Sequence, residues 1–329
     1  MNRRILYIDV LKAIACLLII NSHCSDLYPN SLMAFGGGQG NAIFLMVTGF
    51  LCADVQLPWK EWITKRYFRL MPITLIICVL DLVICVMQDG LPANIITYCL
   101  DRYWFVWALA IYYIPYFMVF RLGKNNAFQL ACLLYCIGYA FLYLCLLSMD
   151  KVSLFVEKEG FAFFKVYFYF APMLMGGIIA HFTHRETGRI FETEVRCILE
   201  RPEILVLGAL VGLSVWGFEY ICTILFKSAL KLQFLINLGN LIFCVCLFCA
   251  MRAGFSRNNV EKLGRSRSVK ILSTCTLEIY LVQILIKSFF LSFDFPINAF
   301  LYFMLSIGLG VMLHYAFNRI PIRAKKLLD

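Results

Sequence analysis

The sequence predicts an all-α fold: a polytopic transmembrane helical bundle of about ten helices, with both termini on the cytoplasmic side. Three observations lead there. Apolar residues fill 62% of the 329 positions and charged residues only 15%, too few to coat a soluble domain of that length. The apolar residues come in long runs, and about 20 in a row cross roughly 30 Å of hydrocarbon as a helix. Backbone groups find no water there, so crossing segments close their hydrogen bonds internally. Finally, Lys and Arg alternate from loop to loop, rich on one side and sparse on the other.

The apolar runs place helices near 5–24, 40–54, 70–88, 103–120, 127–147, 164–181, 203–225, 232–251, 271–291 and 297–317. The first run follows two arginines, as a signal peptide would. No small-residue cleavage site comes after it and it holds Asp9 and Lys12, so it reads as a retained helix. The second is short and opens on glycines, which suits a tilted helix or one shielded by its neighbours. Of the 30 Lys and Arg, 22 fall in segments on one side and 6 in the opposite loops, with Lys12 and Lys287 inside spans. Short basic loops stay in the cytoplasm, and one missing or invented span would break the alternation.

The net charge of +10 needs no nucleic-acid partner; topology and the anionic headgroups of the lipid bilayer account for it. No repeat or linker divides the chain, so residues 1–329 are expected to form a single domain in the cell membrane. Residues 185–203, amphipathic with alternating charges, are expected along the cytoplasmic surface. The 15 cysteines fall mostly within apolar runs, where they pack as small hydrophobes. Cys244, Cys246 and Cys249 crowd one helix without a His or carboxylate, so no metal is expected.

Polar groups at membrane depth are costly, so each marks a candidate site. Asp9 and Lys12 are spaced to neutralise each other as an ion pair on one helix face. His23 stands eleven residues beyond Lys12, about 16 Å further along the helix and in the outer half of the membrane. It is either a general base, as a neutral imidazole can be, or an interfacial histidine bonded to nearby backbone. The glycine-rich 36–41, which holds Gln39 and Asn41, either gathers backbone N–H groups for an oxyanion or simply turns tightly. Arg66 and Arg69, next to Lys65, share a face and suit phosphate, though positive-inside anchoring alone would also place them. Glu278, with Tyr280 and Gln283 nearby on the same helix, could polarise a histidine, bind a sugar hydroxyl or pair structurally.

In this order the segments resemble the membrane-bound acyltransferase type 3 family. Ile8-Asp9-Val10-Leu11-Lys12 followed by His23 is similar to its Leu-Asp-x-Leu-Arg opening and late histidine. Residues 37–50, ending in Thr48-Gly49-Phe50, resemble its glycine-rich second helix, which ends in Ser-Gly-Phe. Residues 65–72 match its R-x-x-R segment with a following proline, and 103–109 its aromatic fourth helix. Thr276 to Gln283 resembles its Ser-x-x-Ile-Tyr-Leu-x-His stretch. Two positions depart: Lys12 replaces the usual Arg, and Gln283 stands where many relatives have His, removing a second proton carrier.

The resemblance implies transfer of an acyl group, acetyl above all, from cytoplasmic acyl-CoA (acetyl-CoA) to a hydroxyl of a cell-surface, secreted or lipid-linked glycan acceptor. Arg66, Arg69 and Lys65 would take the CoA phosphates, while the pantetheine arm reaches up toward His23 as general base. Asp26 would orient the imidazole or stand as a solvated loop acid. Gln39, Asn41, Trp104, Glu278, Tyr280 and Gln283 would surround the substrates. Trp104 is equally explained as part of an interfacial aromatic belt. The SGNH-type hydrolase domain that some relatives append is not expected here, so the reaction would finish in the membrane core or with polysaccharide-assembly proteins. The alternative from another class is a transporter or flippase for a lipid-linked glycan, which paired inverted repeats would favour; none is evident.

Overall fold

The computed structural model describes residues 4–53, 57–122, 127–148, 162–184 and 197–319. They are helical throughout, with no strand among the described residues. In chain order the helices are α1 (Leu6–Ser22), α2 (Gly37–Cys52), α3 (Trp59–Gln88), α4 (Ile95–Arg102) and α5 (Trp104–Phe117). Then come α6 (Ala127–Ser148), α7 (Ala162–His184), α8 (Pro202–Leu225) and α9 (Phe234–Arg252). The chain closes with α10 (Arg257–Arg265), α11 (Arg267–Thr274), α12 (Thr276–Ile286) and α13 (Ile297–Arg319). Of the amphipathic surface segment expected at 185–203, residues 185–196 lie outside the described residues.

Six helices are long and apolar enough to cross a membrane: α3, α6, α7, α8, α9 and α13. Counting the bent pairs α4–α5 and α11–α12 as one span each raises the number to eight. The predicted third span begins too late, because α3 runs back to Trp59 and carries Arg66 and Arg69 on the helix itself. Pro72 sits inside it and costs one backbone hydrogen bond without ending the helix. The predicted ninth span is broken by a 73° bend at Cys275. A run of hydroxyls explains it: Thr274 Oγ1 donates to Lys270 O at 2.7 Å and Thr276 Oγ1 to Leu272 O at 2.8 Å. Such bonds back to the preceding turn compete with the helix ladder and bend it. A second bend of 83° separates α4 from α5 around Tyr103.

Helices α1 and α2 hold only 17 and 16 residues, about 25 Å each. They are also largely enclosed. α1 packs against α2, α10, α11 and α12, and α2 lies between α1, α7 and α9. Leu11 and Ile20 on α1 and Leu45 and Met46 on α2 are fully buried. A helix walled in by protein need not span the hydrocarbon on its own apolar length. Helices α6 and α8 instead expose Leu133, Phe141, Leu207 and Leu210, as lipid-facing helices do.

What draws this inner pair into the bundle is backbone proximity. A Cβ on Gly49 would fall 2.0 Å from Met173 O, and one on Gly176 would fall 2.0 Å from Met46 O. The backbones of α2 and α7 therefore touch through two glycines, the small-residue packing that membrane helices use. Tyr116 on α5 buries its hydroxyl against the same contact, donating to Gly49 O at 2.5 Å. Gly49 belongs to the Thr48-Gly49-Phe50 motif, so that glycine is a packing requirement. Gly49→Ala and Gly176→Ala are each expected to cost about 1–3 kcal/mol through overpacking, read as a lower thermal midpoint of the purified protein in detergent. Gly217→Ala, with open space around the new methyl, should leave the midpoint in place.

Candidate active site

Three cations gather where α1, α2, α3 and α5 meet. Lys12 on α1 is half-buried and within electrostatic reach of Arg69 on α3, of Asp9 and Arg4, and of the Cys52 thiol that ends α2. Cys52 in turn faces Arg66, Arg69 and Lys12. Tyr113 on α5 closes the far side, within reach of both arginines. Arg66 lies over the Trp62 ring, its Cζ 5.5 Å from the centroid, which fixes a half-buried guanidinium. Lys65 points outward and is exposed. Among the described residues no carboxylate forms an ion pair with Lys12, Arg66 or Arg69.

The ion pair expected between Asp9 and Lys12 is not formed. Asp9 is bridged by Arg4, which also donates to Ser273 Oγ at 3.0 Å. The reason is geometric: Arg4 precedes α1 in extended backbone and folds its planar fork across both acceptors. Lys12 is thereby left to the arginine cluster.

At the other end of α1, His23 caps the helix, its backbone N–H on Ile20 O at 3.1 Å. The loop after it is held down. Asn21 Nδ2 donates to Met33 O and Phe35 O, both at 2.9 Å, and Asn298 Nδ2 donates to Leu27 O at 2.9 Å. The imidazole is half-buried and makes no hydrogen bond among the described residues. Lys287, Lys165 and Arg102 all lie within its electrostatic reach. Asp26, which sequence reasoning offered as its orienting acid or as a solvated loop acid, is 61% exposed at the side chain and bridges Lys287 Nζ at 2.6 Å. Lys12, Cys16, Ile19 and His23 follow at spacings of four, three and four residues, so one stripe of α1 joins the cation cluster to the histidine.

Between those two ends lies a small cavity of about 10 Å³, room for about one water molecule. Cys16, Ile19 and Ile20 line it from α1, and Ile279, Tyr280 and Gln283 from α12. Gln283 is fully buried, and neither its Oε1 nor its Nε2 finds a partner. Tyr280, 6% exposed, turns its ring against Phe105 at 5.5 Å. Glu278 is on another side of α12: its Oε1 meets His314 Nδ1 on α13 at 2.8 Å. The histidine it engages is thus His314, which sequence reasoning did not consider.

The remaining candidates are dispersed. Gln39 is buried where α2 meets α9, its carbonyl taking the Cys244 thiol at 3.8 Å. Asn41 is half-buried, with Oδ1 shielded and unpartnered. Trp104 opens α5 with one ring face under Lys165 Nζ, 4.0 Å from the centroid, and Tyr169 at 5.3 Å.

Sequence reasoning passed over Asp81 and counted Arg102 only as an outer-loop charge. Asp81 is 2% exposed in the last third of α3, and Arg102 grips it with two contacts, Nε to Oδ2 at 2.7 Å and Nη2 to Oδ1 at 3.1 Å. Arg102 also donates to Ile284 O at 3.3 Å, next to Gln283. The pair therefore ties the α4–α5 elbow and α3 to α12. The signal was present: a single acid in the apolar run 73–88, which needs a buried partner.

The acyltransferase-domain family profile matches residues 5–319, and the chain accordingly belongs to the membrane-bound acyltransferase type 3 family that its motifs resemble. No curated protein and no solved structure matches it. Removing Arg102 strands the buried Asp81 carboxylate, at a cost of about 3–5 kcal/mol. Arg102→Met alone should sharply reduce folded protein in membranes, measured by size-exclusion recovery, and Asp81→Leu, which leaves an exposed guanidinium, should reduce it less. The double variant should recover most of it.

Proposed function

We propose that this acyltransferase carries an acyl group, chiefly acetyl, from cytoplasmic acyl-CoA to a hydroxyl of an extracytoplasmic or lipid-linked glycan. On this reading α1 and α2 also cross the cell membrane. The count becomes ten, with both termini cytoplasmic and the cation cluster at the inner face. One observation carries the proposal: Lys12, Arg66 and Arg69 converge without an ion pair among the described residues, and Lys12 shares one stripe of α1 with His23. Clustered cations that make no ion pair repel one another and favour an anion, and the guanidiniums suit the geometry of phosphate. Lys65 stands at the rim for the outermost phosphate.

With the phosphates held there, the pantetheine arm follows the α1 stripe past Cys16 and presents its thioester below His23. The acceptor reaches His23 from the opposite end. As its hydroxyl oxygen attacks the thioester carbonyl, His23 takes the hydroxyl proton. The carbon–sulfur bond breaks, an ester forms, and CoA leaves as a thiol once it has regained a proton. Holding both substrates on one rigid stripe supplies the proximity term. Gln39, Asn41 and Trp104 frame the acceptor side, and polysaccharide-assembly proteins are the partners that would deliver it.

Acetyl transfer from labelled acetyl-CoA in isolated membranes tests the proposal. His23→Ala should lower the rate by about 10²–10⁴-fold, and transfer that survives at the wild-type rate would exclude it as the base. Arg66→Ala, Arg69→Ala and Lys12→Met should each raise the apparent KM for acetyl-CoA by about 10-fold or more, at roughly 1.5–3 kcal/mol per charged hydrogen bond. A change in acceptor KM alone would place the donor elsewhere.

A further inference from the structure

We infer that Glu219 on α8 and Gln233 at the start of α9 form a distal sugar-binding subsite, which holds a hydroxyl of an acceptor chain longer than one sugar. The inference rests on the acyl-transfer reading and the topology above, and deepens them by giving the acceptor a minimum length. Glu219 is 4% exposed and its Oε1 has no hydrogen-bond partner. Gln233 is 6% exposed and its Nε2 has none either. Among the described residues no cation forms an ion pair with Glu219. A carboxyl kept at membrane depth without a partner is expensive, and such a group marks a site.

Packing brings the two together. The backbones of α8 and α9 touch: a Cβ on Gly212 would fall 2.5 Å from Phe243 N, and one on Gly239 would fall 2.6 Å from Trp216 N. One further turn of each antiparallel helix carries Glu219 to within a turn of Gln233. Tyr143 on α6 closes the group. Its hydroxyl donates to Lys231 O at 2.7 Å, its ring meets Phe234 at 5.7 Å, and Glu219 is within its electrostatic reach. Thr223, one turn beyond Glu219, directs its own hydroxyl to Tyr220 O at 2.8 Å. The carboxyl oxygen and the amide are thus left as an unmatched pair.

That pair is one acceptor and one donor. A hydroxyl satisfies both, donating to Glu219 and accepting from Gln233. An ammonium offers donors only, and a phosphate would bring negative charge against the carboxyl. The same face of α9 then continues inward. Gln233, Asn237 and Asn240 follow at spacings of four and three residues, a stripe of neutral amides roughly 10 Å long. Asn237 Nδ2 donates to the Tyr139 hydroxyl at 3.2 Å. Asn240 borders a notch at Gly38, where a Cβ would lie 3.5 Å from its Nδ2 and 3.4 Å from the Tyr169 hydroxyl. The Tyr169 ring meets Trp104, on the acceptor side of the site, at 5.3 Å. Neutral hydrogen-bonding side chains in series suit hydroxyls in series, which successive sugars offer. On the proposed topology the chain enters beside Glu219, at the extracytoplasmic ends of α6, α8 and α9, and its reacting sugar lies toward His23.

The full-length protein in membranes is given labelled acetyl-CoA and the surface polysaccharide of its own cell, cut either to single sugars or to longer chains. Wild type should show an acceptor KM for the longer chains at least about 10-fold below that for single sugars, the size expected of one hydrogen bond to a charged group. Glu219→Leu should erase that preference and Gln233→Leu should reduce it, while Glu219→Gln, which keeps an acceptor oxygen, should restore part of it. The thermal midpoint of both leucine variants should hold or rise, because an apolar side chain removes the unpartnered group. A preference that survives intact in both leucine variants, or a midpoint that falls in both, overturns the subsite. So does stabilisation of wild type, but not of Glu219→Leu, in nanodiscs of phosphatidylglycerol over phosphatidylcholine, which assigns the site to a lipid headgroup. His23-dependent transfer that ignores chain length overturns the subsite alone. Wild-type protein that acetylates no sugar overturns the broader function with it.

Discussion

The structure depends on the contact between the backbones of α2 and α7 at Gly49 and Gly176. In lipid, apolar side chains gain little by leaving one apolar medium for another, so close approach of backbones has to supply the packing. Here it brings α2 into the middle of the bundle, and α2 in turn holds α1, the helix that carries Lys12, Cys16 and His23. Further glycines extend the same device, since a Cβ on Gly40 would lie 2.8 Å from Ala15 O. The glycine-rich start of α2 is thus a seam that fits it closely against α1.

With α1 enclosed, the costly polar groups sort themselves into those that are paired and those that are not. Asp9 is held by Arg4, Asp81 by Arg102, and Glu278 faces His314. Each of these pairs joins different parts of the chain and fixes how they cross. Lys12, Arg66, Arg69 and the Gln283 amide, around α1, lack such partners among the described residues, as does the buried Glu219 on α8.

The bends in α4–α5 and α11–α12 are part of the same arrangement. Hydroxyls at Ser273, Thr274 and Thr276 turn the chain at Cys275, and α12 then runs with Tyr280 and Gln283 toward α1. The elbow at Tyr103 swings Arg102 onto both Asp81 and Ile284 O, so the position of α12 is set from two sides. Irregular backbone at membrane depth occurs where protein or a cavity surrounds it, and both bends meet that condition.

Much of this was legible in the sequence, because bilayer physics acts on composition directly. Long apolar runs announced the helices, most of them within a few residues, and the ordered motifs announced the family. Individual residues such as His23, Arg66 and Gln283 stood out because a polar group in an apolar run is expensive wherever it points. Pairing was not legible. Asp9 has Lys12 one turn away, yet its partner comes from the extended segment before the helix, and Asp26 meets a lysine 261 positions further on. Sequence spacing ranks only neighbours on one helix, whereas partners across helices depend on crossing angles and bends. Those were decided by glycine seams and hydroxyl-induced kinks, whose effect exists only once the helices are packed together.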